Sequence, residues 1–276
     1  MTPIAAAPVR PLGHSLCRAG RALGVALSVL GYAILAPVGY GSFMLLCWLW
    51  RDRPLVAARR MQTCIRVGFR FTLRWLRWVR VADCRYEEAA AKVPDGPCVV
   101  VANHPTQLDV VAVGACLGLA STIVKSRVFR RRLVRPMLVG AGMLEGPGTD
   151  PISVGRVIED GVQRLRDGMR IYVFPEGSRS LPEGLRPFGR VAFEIACRAG
   201  VPLVTLGIRC RPVYLSREVP LFCPPSPMPR HRVELLAIER PADFGGDSRA
   251  LREAVERRLR AWCAADAPAT EQPFAE

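Results

Sequence analysis

The chain places an imidazole and a carboxylate in Asn103-His104-Pro105-Thr106-Gln107-Leu108-Asp109. About seventy residues later, Phe174-Pro175-Glu176-Gly177-Ser178-Arg179-Ser180 supplies a second carboxylate, a glycine and a guanidinium. An aspartate that accepts a hydrogen bond from one ring nitrogen of a histidine fixes its tautomer and leaves the other nitrogen as a base. His104 and Asp109 are therefore a candidate acid–base pair. Five residues apart on a regular helix they would not face each other, so the chain must turn between them. Pro105 presets a helix start, and Asp109 then falls in the first turn, where a carboxylate suits the helix dipole. In the second segment Glu176 brings a carboxylate, Gly177 permits a tight turn, and Arg179 has the planar fork that matches a phosphate. Either segment alone is compatible with capping or exposed-turn chemistry. Both together, each after a short apolar run, point to a site.

The elements that would position them are legible from periodicity. Residues 98–102, 171–174 and 203–208 read as strands that are apolar on both faces, and 233–238 as an added edge strand. Val154, Val157, Ile158, Val162 and Leu165 mark one face of a helix ended by Gly168. Phe193, Ala196 and Cys197 suggest another, closed by Gly200 and Pro202, and Leu251, Val255, Leu259 and Trp262 stripe a last one. This order predicts an α/β fold, a largely parallel sheet flanked by helices. Ligands gather at the carboxyl ends of such strands, where both polar segments fall.

The N-terminal region is different. The 29 residues from Ala22 to Trp50 carry no charged side chain. A straight helix of that length would be about 43 Å long, against a hydrocarbon core of about 30 Å. A single tilted membrane span is the favoured expectation. Pro37-Val38-Gly39-Tyr40-Gly41 offers the alternative of a broken element with both ends on one face, and Arg10, Arg18 and Arg21 before it and Arg51, Arg53, Arg59 and Arg60 after it suit that too. Residues 51–80 hold nine arginines and one acid. There Arg59, Arg66, Arg70, Arg74 and Arg77 interleave with Phe69, Phe71, Trp75 and Trp78, as in a helix lying in the headgroup layer or packed on its own domain. Three regions are expected: an anchor with a basic interfacial helix over 1–80, an α/β domain over 81–263, and a disordered tail over 264–276.

A net charge of +15 and a pI near 10.2 suit an anionic membrane or an acidic partner protein. The arginines are spread along the chain, and there is no zinc-finger spacing, helix-turn-helix pattern or basic-aromatic RNA motif, so nucleic acid is not an expected partner. The ten cysteines include no C-x-x-C pair, and Cys98, Cys116, Cys197 and Cys210 lie in apolar runs. They read as reduced, buried thiols, with no metal site. The positive-inside rule puts the α/β domain on the cytoplasmic side of the anchor.

The two polar segments, in this order behind an apolar N-terminus, resemble those of the glycerolipid (lysophospholipid) acyltransferase family over roughly residues 79–209. The resemblance implies that His104 is the base and Asp109 its orienting partner, and that Asn103, Glu176, Gly177, Ser178 and Arg179 bind the acceptor. It further implies transfer of an acyl chain from acyl-CoA or acyl-carrier protein to a hydroxyl of a lysophospholipid or glycerol-phosphate, without cofactor or metal, at the cytoplasmic face of the inner membrane. Backbone N–H groups near the helix start would steady the oxyanion. Val201-Pro202-Leu203-Val204 looks like the family's last apolar block, lining the site or an acyl tunnel. Two departures stand out: Ala141-Gly142-Met143-Leu144-Glu145-Gly146-Pro147-Gly148 has no arginine where many members hold a phosphate, and Val191 replaces a usual glycine. The chain is similar in this to a bacterial subgroup found in aryl-polyene and related lipid synthesis. A non-phosphate lipid acceptor, a transacylase reaction and a non-catalytic lipid-binding protein are the alternatives.

Overall fold

A computed structural model describes residues 12–265 apart from 182 and 183, with side chains from residue 19 onward. The strands are β1 (Asp83–Arg85), β2 (Val99–Ala102), β3 (Ala120–Val124), β4 (Leu144–Glu145), β5 (Arg170–Val173), β6 (Leu203–Arg211) and β7 (Arg230–Glu239). They form one sheet in the order β1-β7-β6-β2-β5-β3-β4. Only the β6–β7 pairing is antiparallel; the other five are parallel. The helices are α1 (Leu12–Leu49), α2 (Pro54–Trp78), α3 (Glu87–Lys92), α4 (Leu108–Leu117), α5 (Ser126–Phe129), α6 (Arg135–Gly140), α7 (Pro151–Arg166), α8 (Val191–Ala199) and α9 (Ser248–Ala264).

All four residues of β2 are buried, which explains its unbroken apolar run. Alternate side chains point to opposite faces. Val100 and Ala102 join one core with residues of α2, α3 and α4, while Val99 and Val101 join another with α7, α8 and α9. Each buried valine contributes about 1.5–3 kcal/mol relative to exposure. The helices on the second face have the predicted stripes and clear ends. Asp150 Oδ1 accepts from the Ser153 N–H at 2.8 Å ahead of Pro151, a cap contributing about 1 kcal/mol. Gly200 closes α8 at φ +65°, a left-handed conformation that favours glycine.

Two expectations change. Residues 233–238 belong to β7, which is not at the edge, because β1 pairs outside it with Cys84 opposite His231. A three-residue strand is too short to show an alternation. Helix α4 starts at Leu108 instead of beside Pro105, and the intervening residues make a loop that shapes the site. The tail beyond Ala265 lies outside the described residues, as do the side chains of Arg10 and Arg18.

Helix α1 is continuous through Pro37 and contains Ala19–Leu49, long and apolar enough by length and composition to cross a membrane. It nevertheless runs antiparallel to α2. The Trp75 indole N–H donates to Ser28 Oγ at 2.8 Å, Tyr32 donates to Thr72 Oγ1 at 2.6 Å, and Cys47 packs on Met61. Helix α1 meets the α/β body at two well-separated points, Arg21 and Cys47. Arg21 donates to the Pro225 carbonyl at 2.5 Å, and Cys47 Sγ lies so close to Gly140 of α6 that an added Cβ there would sit 2.5 Å from it. Of the arginines on α2, Arg59 and Arg70 donate to the carbonyls of Asp167 and Ala115, and Arg77 pairs with Asp83 at 3.4 Å. These guanidinium groups bind their own domain. Leu23, Leu30, Ile34, Val38, Phe71 and Trp78 remain exposed on the hairpin.

Two glycines calibrate the packing. At Gly207 on β6 a Cβ would lie 2.7 Å from the Trp262 ring, whereas at Gly155 within α7 nothing lies within 4 Å. Gly207→Val is expected to destabilise the fold by about 1–3 kcal/mol through overpacking. Gly155→Ala is expected to stabilise it by about 0.5–1 kcal/mol through helix propensity. Denaturant unfolding of the purified protein measures both.

Candidate active site

The polypeptide leaves β2 at Asn103, whose amide is buried and doubly bonded to β6: Nδ2 donates to the Ile208 carbonyl at 2.9 Å and Oδ1 accepts from the Ile208 N–H at 2.7 Å. This side chain extends the sheet and holds the loop start; both ends of its amide are committed there. The next five residues turn back. Thr106 donates its backbone N–H to Asp109 Oδ2 at 2.7 Å and its hydroxyl to Asp109 Oδ1 at 2.6 Å. The turn brings His104 Nδ1 within 2.8 Å of Asp109 Oδ2. A spacing unsuited to a regular helix therefore works because the residues between are not helical.

A carboxylate only accepts, so Nδ1 of His104 carries a hydrogen, and in the neutral ring Nε2 is the bare nitrogen. The ring stacks on Phe174, with centroids 4.3 Å apart and planes 21° apart, and its side chain is 16% exposed at the cleft. Asp109 is fully buried. Burial alone would push its carboxyl up, but the hydrogen bonds from His104 and His231 hold it below its ordinary value of 3.8. His231 is the partner that sequence reasoning passed over. It lies on β7, fully buried, and its Nε2 is 2.8 Å from Asp109 Oδ1. The available signal was its alternation with Val233 along a strand flanked by arginines.

Glu176 is also turned inward. Its Oε1 accepts from the His104 N–H at 2.9 Å and from Ser180 Oγ at 2.7 Å, and its Oε2 accepts from the Arg186 N–H at 2.9 Å. It couples the two sequence segments by backbone contact, assisted by the Ser180 N–H, which donates to the His104 carbonyl at 2.8 Å. Gly177 adopts φ +64° in the turn after β5, and its N–H donates to the Phe174 carbonyl at 2.9 Å. Arg179 donates to the carbonyls of Leu215 and Ser216, at 3.2 and 2.5 Å, and so clasps the loop between β6 and β7. That loop returns Arg217, which donates to Ser178 Oγ at the cleft. The N–H groups of His104, Thr106 and Gln107 are already bonded, to Glu176 and Ser180, to Asp109 and to the Leu215 carbonyl, and Pro105 has none. The N–H groups of the turn from His104 to Gln107 are therefore committed within the protein.

His104 opens onto a cleft of about 920 Å³. Val110, Ile123, Val124, Val173 and Phe174 give it an apolar wall, and Lys125, Arg127, Arg179 and Arg217 place cations along it. Val201 and Leu203, expected at the site, contribute instead to the core under α7–α9. Cys98, Cys116 and Cys210 are buried thiols, with Cys116 pushed up to about 12 by burial.

The domain thus carries a histidine–aspartate pair at the carboxyl edge of its sheet, beside an apolar cleft with a cationic rim, an arrangement capable of general-base chemistry. The sequence profile described as Acyltransferase matches residues 82–209, the stretch that carries the pair. Over this domain the chain is similar to acyltransferases. It is 30% identical over 112 residues to a chloroplast 1-acyl-sn-glycerol-3-phosphate acyltransferase of Brassica napus, a match covering 41% of this chain and 33% of the relative. It is also 30% identical over 143 residues to the human 1-acyl-sn-glycerol-3-phosphate acyltransferase alpha, covering 47% of this chain and 44% of that one. These matches span less than half the length of either relative. The fold is that of the crystal structure of the 1-acyl-sn-glycerophosphate acyltransferase PlsC from Thermotoga maritima. The TM-score is 0.65 at 20% identity, over 89% of this chain and 97% of that one.

Asp109→Asn tests the network. The amide introduces a donor where every neighbour donates, so a loss of about 3–5 kcal/mol is expected at neutral pH, typical of breaking a buried charged network. Because the native carboxyl is held below 3.8, its contribution is whole above that value and disappears as pH falls through the lower native value. Denaturant unfolding at several pH values should show the gap between wild type and variant closing in acid.

Proposed function

We propose that the chain is a membrane-associated O-acyltransferase that moves an acyl group from a thioester to a hydroxyl of a glycerol-phosphate or lysophospholipid acceptor. The observation that carries this is the His104–Asp109 pair, joined through Nδ1, at an apolar cleft lined by Lys125, Arg127 and Arg217. In the reaction the acceptor hydroxyl gives its proton to Nε2 of His104 as its oxygen bonds to the thioester carbonyl carbon. The C–S bond then breaks, and the thiolate takes the proton back from the imidazolium. Asp109 stays anionic and stabilises that imidazolium. General-base help of this kind contributes about 10²–10⁴ in rate. The donor is acyl-CoA or acyl-carrier protein, whose phosphates and acidic surface suit the same cations.

The cations also bear on the acceptor. The segment 141–148 lacks an arginine, yet Lys125 and Arg217 come to the cleft from two other elements. An anionic headgroup fits this better than a phosphate-free lipid. Residues 81–263 act as the catalytic domain, and the hairpin of α1 and α2 as the membrane attachment. Arg21 and Cys47, about 39 Å apart along a helix, both contact the α/β body. A helix crossing the bilayer would carry one end about 30 Å away. The hairpin therefore lies along one leaflet, its exposed Leu30, Ile34, Val38 and Phe71 in the acyl boundary. The cytoplasmic face of the inner membrane is the location this reading assigns.

Membranes containing wild-type or His104→Ala protein are to be given palmitoyl-CoA or palmitoyl-acyl-carrier protein with lysophosphatidate, glycerol 3-phosphate or phosphate-free lysolipids. Mass spectrometry should find a product whose rate falls about 10²–10⁴-fold in His104→Ala. A product of undiminished rate from that variant would refute the base assignment. Arg217→Ala should raise KM for phosphate acceptors several-fold with kcat nearly unchanged. Equal KM values for wild type and Arg217→Ala would remove that residue from acceptor binding.

A further inference from the structure

His231 is costly where it sits. It is fully buried on β7, and its Nδ1 has no hydrogen-bond partner. An unpaired buried polar atom is destabilising, and an aliphatic side chain at this position would avoid that cost. The groups beside it across the sheet are the thiols of Cys84 on β1 and Cys210 on β6, its register partners. Burial pushes both thiols up, Cys210 to about 11, so neither is charged at neutral pH. No cation stands on this side of Asp109 among those register neighbours. Its only contact with Asp109 is the 2.8 Å hydrogen bond from Nε2 to Oδ1.

A carboxylate only accepts, so Nε2 of His231 carries the hydrogen in this contact. An imidazolium here would bury a charge and leave an N–H unpaired; the neutral form with hydrogen on Nε2 leaves only a lone pair unpaired. His231 is thus a mirror of His104. One ring faces the cleft and gives Nδ1–H to Oδ2; the other faces the core and gives Nε2–H to Oδ1. With the two donors of Thr106, the four acceptor positions of the carboxylate are filled.

We propose that His231 is a positioning residue for acyl transfer, fixing the plane of the Asp109 carboxylate so that Oδ2 points at His104 throughout the reaction. This rests on the acyltransferase reading above. Without that fourth donor the carboxylate can rotate toward Thr106, and the imidazole it orients moves with it. Misplacement of about 1 Å at a reacting group can cost 10²-fold in rate. Substrate contacts are untouched, so the loss falls on kcat.

The test compares His231→Leu, His231→Asn and His231→Gln, using whichever donor and acceptor in the panel above give the fastest wild-type transfer. A glutamine amide nitrogen reaches about as far from Cβ as imidazole Nε2, whereas an asparagine nitrogen stops near the position of Nδ1. Expected are a kcat lowered by about 10–100-fold for Leu and Asn, KM within about twofold of wild type, and kcat largely restored by Gln. Thermal melting identifies the variants that fold; if Leu does not fold, Gln against Asn decides. Wild-type kcat in folded His231→Leu, or a Gln variant as slow as Asn, overturns the proposal and leaves a packing role. Failure of the underlying reading has a different signature: His104→Ala would keep full activity, or no pair in the panel would be turned over by the wild type.

Discussion

The site is organised around a carboxylate that water does not reach. Asp109 is fully buried, and a bare carboxylate in such surroundings would be protonated or would unfold its pocket. Four donors from three segments prevent this: His104 at the end of β2, Thr106 in the following turn and His231 on β7. Satisfying one charge thus fixes the loop before α4, the direction of the His104 ring and the depth at which β7 sits. Glu176 does the same work for the second segment. By accepting the His104 N–H and the Arg186 N–H, it locks the turn after β5 against the turn after β2. Two inward carboxylates hold the imidazole that lines the cleft.

How much of this was legible from sequence depends on where each partner lies. His104 and Asp109 could be paired because their partners are local and the strand before them is a plain apolar run. The wide α/β plan could be read for the same reason, since β2, β5 and β6 are covered on both faces and α7, α8 and α9 carry clear stripes. The roles of Asn103, Glu176 and Arg179 could not. Asn103 is bonded to Ile208 and Arg179 to Leu215 and Ser216, carbonyls and N–H groups that bear no residue signature. His231, 122 residues from Asp109, was invisible as a partner because only the antiparallel return of β7 beside β6 brings it close. Strand β1 was missed because three residues carry no period.

The N-terminal hairpin shows the same limit. Length and composition distinguish a spanning helix from a broken one, but they do not reveal what the ends touch. Helix α1 is unbroken, as a span would be, yet Arg21 and Cys47 along it rest on the same body, as a bent element would require. Its apolar face and the cleft beside His104 are two parts of one demand in the proposed reaction, that an amphipathic acceptor be met where it is dissolved. Arg59, Arg70 and Arg77 on α2 tie the hairpin to the domain through Asp167, Ala115 and Asp83.

The central claim is that Asp109 holds two neutral histidines in opposite tautomers, leaving Nε2 of His104 as the base. Nitrogen-15 spectra of histidine-labelled protein at neutral pH, assigned with His104 and His231 replaced one at a time, test this directly. The account predicts a protonated Nδ1 and bare Nε2 for His104, and a protonated Nε2 and bare Nδ1 for His231. A His104 ring protonated on Nε2 alone, or a His231 ring bare at Nε2, would contradict it.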